Sequence, residues 1–329
     1  MKAWSKFVLP ALLVLAVLVS ACQSPSTATP TEPPTETEEA KTRVAVLFPG
    51  VVYDNSWNQA GYEGLMKAQE ECGIEVAYTE SVGQEEQEEV FRNYAQEGYD
   101  IVIGHGGEFY DAASVVAQEF PDTNFVIINS KHAGGNVSSV VVDYFETWYL
   151  AGVLACNMTK SNKVAMVLAL DLPHLRDAQQ GFRMGAQTCG KEVEVETVFT
   201  GSFTDVNKAH EATVALVNAG VDVLIHHMDT ADVGMFSAAE DAGAYCIGAY
   251  RDQRDVSPCV IASVVGGPVT QMYQAACGMY LDGQVHTLTL ATGSELILTD
   301  RVPEEVQQKV AEAKEALLRG EIQRPESEE

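Results

Sequence analysis

Short apolar runs alternate with segments of helical spacing along most of this 329-residue chain, and the alternation passes through two series. The first series predicts strands at residues 43–48, 74–78, 99–104, 124–128 and 138–142. The second predicts strands at 163–168, 193–199, 221–226, 245–249 and 259–264. Helices are predicted at 57–71, 84–96, 112–119, 146–158, 175–189, 205–219, 234–242, 268–281 and 304–318. Strands separated by helices form βαβ units, so the sequence predicts an α/β fold of two doubly wound parallel-sheet lobes.

The amino-terminal segment has a pattern typical of an exported lipoprotein. Lys2 and Lys6 precede an apolar run at 7–19 that is too short to span a bilayer, and the sequence VSAC then ends at Cys22. We therefore expect a signal peptide at 1–21 that is removed before Cys22, and lipidation of Cys22. Such an anchor would hold the protein on the extracytoplasmic face of the cell membrane. An ordinary secretory signal with a chance cysteine is the alternative.

A disordered tether is predicted at 22–41, because this segment is rich in proline and threonine and has no large apolar side chain. The exported chain would carry six further cysteines in a compartment where disulfides persist. They are Cys72, Cys156, Cys189, Cys246, Cys259 and Cys277. Six thiols allow many connectivities, and buried free thiols are an equal alternative.

Composition and motifs argue against two classes of protein. Lys and Arg total 20 and Asp and Glu total 47, and the net charge of −27 repels the phosphate backbone of nucleic acids. The patterns GxSxG, HExxH, SxxK and CxxC, which mark common catalytic sites, do not occur in the sequence. We therefore expect no nucleic-acid partner, no enzyme activity, no cofactor and no metal site.

Ligands of open α/β sheets bind beyond the carboxyl ends of the strands, and this rule selects six loops. The loops lie at 49–58, 105–110, 129–131, 171–174, 228–232 and 250–253. They carry most of the candidate ligand-binding residues, which are Tyr53, Asp54, Trp57, Asn58, Phe109, Tyr110, Asp229, Tyr250 and Asp252. Aromatic and acidic loop residues that face each other from two lobes predict a cleft for a flat, hydrogen-bonding molecule.

Trp57 stands at the start of the first predicted helix, where its indole would stack on a planar ring. The alternative is that Trp57 packs under the loop and that Asp54 only caps the helix. The glycine-rich segment 104–108 lacks the spacing of a phosphate-binding loop, so close approach of the backbone to a ligand is favoured there. His226 and His227 are neighbours in a strand and point to opposite faces, which disfavours a shared metal ion and leaves Asp229 as the better candidate.

The chain resembles the basic membrane protein (BMP/Med/PnrA-like) family of substrate-binding lipoproteins of ABC importers. The resemblance covers about 43–319 and rests on DNSWNQAGYEGL (54–65), FPDTNFVII (120–128), DYFETWYLAGVLA (143–155), NKVAMV (162–167), the stretch 201–230, and YCIGAYRDQ (245–253). It implies a type I periplasmic-binding-protein fold with three crossings between the lobes. Lobe 1 would comprise 42–143 plus 264–285, and lobe 2 would comprise 144–263 plus 286–329. Permease and ATPase subunits are the implied partners.

Characterised members of this family bind purine nucleosides, and a related branch binds riboflavin. In such members an aromatic ring at the position of Trp57 stacks on the base. Nucleoside receptors usually carry G-x-D-S-D-Q after the late strand, whereas 248–253 here reads GAYRDQ, with Tyr250 in place of the first Asp. The lysine expected after the next strand is replaced by VGG at 265–267. Both missing groups contact ribose in the family pattern, so a free purine base is favoured over a nucleoside.

These observations together predict a lipid-anchored receptor of an ABC importer that closes its lobes on a purine-like ligand. Trp57 would stack on the ring, and hydrogen bonds to the ligand would come from Asn58, Tyr110, Glu146, Asp229 and Asp252. Glu146 enters this set because the family pattern places it at the first crossing, facing the ligand. Receptors for riboflavin, a nucleoside or a sugar are alternatives in the same fold, and so is a ligand sensor without transport.

Overall fold

Two six-stranded sheets form the framework of the chain in a computed structural model that describes residues 41–325. The predicted signal peptide at 1–21, the lipidation site Cys22 and nearly all of the tether at 22–41 lie outside the described residues. Within 41–325, no helix is long and apolar enough to cross a membrane.

The first sheet is entirely parallel. Its strands are β1 (Arg43–Leu47), β2 (Glu75–Thr79), β3 (Ile101–Gly104), β4 (Asn124–Ile128), β5 (Val137–Val142) and β11 (Val285–Leu288), in the order β11-β5-β4-β3-β1-β2. Its helices are α1 (Trp57–Cys72), α2 (Gln87–Gln96), α3 (Tyr110–Ala117) and α8 (Gly267–Ala276). A 3₁₀ turn at Gly107–Phe109 precedes α3.

The second sheet is parallel except for β12, which pairs antiparallel with β10 at the sheet edge. Its strands are β6 (Lys163–Leu168), β7 (Glu194–Phe199), β8 (Val223–His227), β9 (Tyr245–Gly248), β10 (Val260–Val265) and β12 (Glu295–Leu298), in the order β12-β10-β9-β8-β6-β7. Its helices are α4 (Tyr144–Met158), α5 (Pro173–Ala186), α6 (Val206–Asn218), α7 (Asp232–Ala242) and α9 (Glu304–Leu318). The predicted fold of two doubly wound parallel-sheet lobes is confirmed.

Central strands are buried on both faces, which explains their near-continuous apolar sequences. Every residue of β3 and β8 is buried, whereas the edge strands β2 and β7 are partly exposed. A parallel sheet covered by helices on both sides requires this pattern, because each face of a central strand contacts a layer of helices. The carboxyl ends of the central strands are thereby held rigidly, and the loops that follow them are positioned for binding.

The chain passes between the two sheets three times, after β5, after β10 and between β11 and β12. The third crossing contacts the other two. Asp143 in the first crossing donates its amide to the Leu288 carbonyl at 2.8 Å. Gly266 in the second crossing has φ +95°, and a Cβ there would lie 2.0 Å from the Gly293 carbonyl oxygen of the third. A side chain at position 266 would therefore force the crossings apart.

The predicted elements agree with the structure apart from their ends and two short strands. Strands β11 and β12 were not predicted, because each has four residues and polar side chains interrupt the apolar pattern of β11. The predicted helix at 268–281 ends at Ala276, where the chain turns through Gly278 at φ +75°. Sheet membership places residues 264 and 265 in the second sheet and 285–288 in the first, a few residues from the predicted lobe boundaries.

One disulfide, Cys72–Cys277, joins the end of α1 to the end of α8 within the first lobe. Its Cα atoms are 5.9 Å apart, and 205 positions separate the two residues in the sequence. It therefore connects two helices of the first lobe that are far apart in sequence, because strands β6 to β10 of the second lobe lie between them in the chain. The other described cysteines are unbridged here: Cys156, Cys189, Cys246 and Cys259.

Candidate functional site

The loops that follow β1, β8 and β9 meet between the two lobes. The Ser56 hydroxyl of the first lobe donates to the Met228 carbonyl of the second at 3.2 Å. The Gln253 side-chain amide donates back to the Asn55 carbonyl at 3.4 Å. The strand-end rule therefore selected loops that the fold brings together at one interface.

Asp54 organises the turn from β1 into α1. Its buried carboxylate accepts hydrogen bonds from the backbone amides of Ser56, Asn58 and Gln59 at 2.9–3.0 Å, and from the Asn58 side-chain amide at 2.8 Å. These are the first amides of the helix, which have no partner within the helix itself. Asp54 therefore caps the helix, and its predicted contact with a ligand stays a prediction. The Oδ1 atom of Asn58 is buried and has no hydrogen-bond partner among the described residues.

Trp57 lies at the interface, partly buried, with one face of its indole covered by its own lobe. The indole stacks on the imidazole of His105 with ring centroids 4.4 Å apart and planes 19° apart. The His105 Nε2–H donates to the Trp57 carbonyl at 2.9 Å, and the indole N–H donates to the His105 carbonyl at 3.4 Å. Tyr250 of the second lobe contacts the indole almost at a right angle, with centroids 5.8 Å apart. A planar ligand would therefore use the indole surface that His105 leaves uncovered.

Tyr250 belongs to an aromatic cluster on the second-lobe side. Its hydroxyl lies 2.6 Å from Nδ1 of His227, and the two rings meet edge to face at 4.8 Å. Tyr144 also meets His227 edge to face, at 5.9 Å. Tyr250 has φ +69°, which is rare for a bulky residue, and these contacts hold it in that conformation. Burial raises the pKa of Tyr144 to about 12, so its hydroxyl remains protonated at neutral pH.

A buried polar network lies behind this cluster, on the other face of β8. His226 Nδ1 accepts the Met228 amide at 3.3 Å, so the ring proton is on Nε2, which donates to the Gln253 side-chain oxygen at 2.9 Å. The Gln253 amide donates to Asp232 at 2.5 Å. Burial lowers the pKa of His226 to about 4, and the ring is neutral at pH 7. His226 and His227 have separate partners, as their alternation in a strand predicts, and 41–325 contains no His, Cys, Asp or Glu cluster that could hold a metal ion.

Carboxylates of both lobes approach each other at the interface. Burial, followed by the charges of Asp54, Asp232 and Glu108, raises the pKa of the partly buried Asp229 to about 7. Burial also raises the pKa of Asp232 to about 7, although the hydrogen bond from Gln253 acts in the opposite direction. Excess negative charge and unpartnered acceptors at this interface favour a ligand that donates hydrogen bonds.

Two predicted contact residues have partners within their own lobes. Phe109 is fully buried and packs edge to face on Phe91 at 6.0 Å, because the 3₁₀ turn directs it into the core of the first lobe. Asp252 is exposed and forms a 2.6 Å ion pair with Arg254. Phe109 is therefore reassigned to the core, and Asp252 to a surface pair.

Two predicted tyrosines lie on the surface of the first lobe. Tyr53 is 70% exposed and meets Tyr62 edge to face at 5.8 Å. Tyr110 is partly buried, and its ring is tilted against His132 at 5.3 Å. The structure does not bring either of them into the aromatic cluster around Trp57 and Tyr250.

Glu146 connects the crossings of the chain. Its carboxylate accepts the backbone amide of Leu290, in the third crossing, at 2.7 Å. The family pattern located Glu146 at the first crossing, and in the structure its hydrogen bond with Leu290 connects that crossing to the third. Its predicted contact with a ligand stays a prediction.

A cavity of about 490 Å³ lies beside Tyr144 of the aromatic cluster, between the first sheet and α5. Its lining comprises Gly107, Asn129, Ser130, Lys131, His132, Val141, Val142, Asp143, Tyr144, Asp177, Thr287 and Arg324. Arg324, near the carboxyl end of the described chain, pairs with Asp143 and with Asp177. Sequence reasoning selected the loop 129–131 but missed Tyr144 and Arg324.

The interface residues that sequence reasoning missed are mostly histidines and amides. His105 stands directly after β3 in a selected loop, but only the glycines around it were weighed. Gln253 closes the loop after β9 and was passed over for the charged Asp252. The position of both residues in loops that follow strands was the available signal.

Three relatives have recorded functions. Transcriptional activator protein Med of Bacillus subtilis is 28% identical over 256 residues, covering 76% of this chain and 80% of that protein. The ABC transporter nucleoside-binding protein BmpA of Lactococcus lactis is 26% identical over 301 residues, covering 83% and 86%. A purine-binding protein of Brucella abortus is 24% identical over 223 residues, covering 67% and 63%.

A solved structure and a family model extend the comparison to the whole described body. The crystal structure of an ABC transporter solute-binding protein from Conexibacter woesei superposes with a TM-score of 0.71 at 27% identity, covering 86% of this chain and 98% of that one. Residues 41–327 match the family model described as ABC transporter substrate-binding protein PnrA-like. The chain therefore belongs to the PnrA-like family of ABC transporter substrate-binding proteins and has the periplasmic-binding-protein fold that this family implies.

Proposed function

We propose that this substrate-binding protein is a lipid-anchored extracytoplasmic receptor whose cleft takes a purine-like ligand, with a free base favoured over a nucleoside. The observation that carries the proposal is the position of Trp57, whose indole lies between the lobes in contact with Tyr250. An aromatic surface at the junction of two hinged lobes suits a planar heterocycle that is enclosed when the lobes close.

The preference for a base over a nucleoside depends on Tyr250. This residue occupies the position where nucleoside receptors of the family carry a ribose-binding aspartate, and its hydroxyl is engaged by His227 at 2.6 Å. An aromatic side chain there fills space that a sugar would use. The relative named as a purine-binding protein supports the ligand class, and the relative named as a nucleoside-binding protein keeps the nucleoside as the alternative.

The electrostatics of the interface support a ligand rich in N–H groups. Asn58 Oδ1 and Asp232 Oδ1 are buried acceptors without a partner in the described part of the chain, and burial followed by the charges of nearby carboxylates raises the pKa of Asp229 to about 7. The N–H groups of a purine would satisfy acceptors of this kind. The lobe division at 42–143 plus 264–285 and 144–263 plus 286–329, and anchoring through Cys22, are parts of the same proposal.

Ligand sensing without transport is a second candidate, favoured by the relative named as a transcriptional activator. The two candidates share the cleft and differ in the membrane partner. Uptake of radiolabelled adenine by cells with and without the gene separates them, since a pure sensor leaves the uptake rate unchanged.

The cleft is tested by identifying the compound that the purified protein releases on denaturation, and by calorimetric titration with adenine and adenosine. We expect a purine in the released fraction and tighter binding of adenine than of adenosine. Trp57→Ala should weaken adenine binding at least tenfold, which corresponds to about 1.4 kcal/mol of lost stacking. Asp252→Asn is the matched control and should change the affinity less than twofold. An unchanged affinity in the Trp57 variant would remove the indole from the site, and a released flavin or sugar would overturn the purine assignment.

A further inference from the structure

The unbridged cysteines of the second lobe lie in two close pairs. Cys246 in β9 donates its backbone amide to the carbonyl of Cys259, beside β10, at 2.8 Å. Both side chains are buried in the same apolar cluster beneath α7, where the Cys259 thiol is also 3.7 Å from the Phe236 carbonyl. The neighbouring Cys246 thiol is also the main cause that lowers the pKa of Cys259.

The second pair joins α4 to the turn after α5. The buried thiol of Cys156 lies 3.8 Å from the Gly185 carbonyl and 3.9 Å from the Thr188 hydroxyl. Cys189 directly follows Thr188, and its thiol packs against the same core. Burial raises the pKa of Cys156 to about 12, and a hydrogen bond with Cys189 adds to that rise.

We propose that these cysteines form two further disulfides, Cys156–Cys189 and Cys246–Cys259. Together with Cys72–Cys277, these bridges would pair every cysteine in 41–325. The bridges form by thiol–disulfide exchange with a protein or small-molecule disulfide as the oxidant. For each bridge two S–H bonds break and one S–S bond forms. The two electrons reduce the oxidant to its dithiol, which also takes up the two protons. The inference rests on the proposed extracytoplasmic location, because a reducing cytoplasm would keep the thiols free.

All three bridges lie within a lobe. Cys72–Cys277 connects α1 and α8 of the first lobe, whereas the proposed bridges connect α4 to the end of α5 and β9 to the start of β10 in the second. None of these three bridges spans the crossings, so they would stiffen each lobe and leave the relative motion of the lobes free.

The experiment compares two preparations of the full chain. One is exported by a bacterial host from its own leader, and its exposure to protease on spheroplasts is checked separately. The other is purified, reduced with dithiothreitol and equilibrated in a glutathione redox buffer. Both are quenched in acid, denatured, alkylated and digested for mass spectrometry. We expect three cross-linked peptide pairs, no alkylated cysteine in 41–325, and an intact mass lower than that of the reduced chain by two hydrogens per bridge.

Single and double variants test the pairing itself. Within 41–325, Cys246→Ala should leave Cys259 as the only alkylated cysteine, and Cys246→Ala/Cys259→Ala should leave none. Cys72→Ala is the matched control and should expose only Cys277. Full alkylation of both members of either proposed pair in the glutathione preparation, or cross-links between other partners, would overturn the proposal. Failure of export alone would count against the location, because the glutathione preparation decides the pairing independently.

Discussion

Asp54 and Asp229 are carboxylates at the same interface, and their surroundings give them different roles. Asp54 accepts four hydrogen bonds from its own turn, so its charge is balanced locally. Asp229 has a pKa of about 7 because burial and the nearby charges of Asp54, Asp232 and Glu108 disfavour its ionised form. The first residue builds the site, and the second is available to respond to a ligand or to pH.

Replacing Asp229 by Asn should change how stability depends on pH. A folded-state pKa raised from 3.8 to about 7 means that the wild type gains stability from this group below about pH 4 and loses it as the pH rises through 7. The Asn variant lacks this loss, and we expect it to be more stable than the wild type at pH 8 by about 1 kcal/mol, and equal to it at pH 4. This stability difference is smaller than the free energy that corresponds to the whole pKa shift, because the Asp229 side chain is partly exposed to solvent.

Urea unfolding at both pH values measures this difference. The exposed Asp255→Asn variant serves as the control and should follow the wild type at pH 4 and at pH 8. A parallel shift of the Asp229 variant at both pH values would contradict the linkage.

At the residue scale, sequence reasoning located loops better than side-chain directions. Trp57, Asp229 and Tyr250 were placed at the interface because they follow strands whose ends must meet. Phe109 follows a strand as well, but a 3₁₀ turn directs it into the core, and the sequence carries no separate signal for that turn. Asp252 was selected for its charge, although Arg254 two positions later neutralises it on the surface.

At the scale of elements, the crossings act as one unit because the third contacts the first and the second. Glu146 accepts the Leu290 amide at 2.7 Å, and Gly266 lies against Gly293. Long strands and helices were predictable because burial imposes their periodicity. The short strands β11 and β12 were not, since their pairing depends on neighbours that are distant in sequence.

Two substitutions of Glu146 separate a structural role from a ligand contact. Glu146→Ala removes the acceptor for Leu290, and we expect a loss of about 1–3 kcal/mol in the free energy of unfolding. Glu146→Gln keeps an acceptor oxygen and should lose less than about 1 kcal/mol. Urea titration gives the stability of both, and calorimetry gives their affinity for adenine. A tenfold weaker affinity in the Gln variant would mean that the charge of Glu146 contributes to ligand binding. An affinity within twofold of the wild type would mean that Glu146 only connects the crossings.

At the scale of the whole molecule, an ion pair between α1 and the loop after β9 connects the two lobes. Arg251 Nε lies 3.4 Å from Glu63 Oε1, and the arginine side chain is only 15% exposed. An ion pair of this kind stabilises the state in which the lobes are in contact. The ion pair does not form when the lobes separate, so it should affect the dissociation rate of the ligand more than the association rate.

Arg251→Gln should therefore raise the dissociation rate of bound adenine about two- to fivefold, with little change in the association rate. Stopped-flow fluorescence with excess unlabelled competitor measures this rate. Arg254→Gln is the matched control, because its partners Asp252 and Leu298 belong to the same lobe. An equal increase in both variants would mean that the effect does not come from contact between the lobes.

The position of β11 also bears on how the protein is made. This strand completes the first sheet from residues 285–288, whereas the other five strands of that sheet have all been synthesised by residue 142. During synthesis, which proceeds from the amino terminus, strand β5 remains an unpaired edge of the first sheet until residues 285–288 have been made. Unpaired edges invite association with other chains, so this nearly full-length precursor is the species most in need of chaperones.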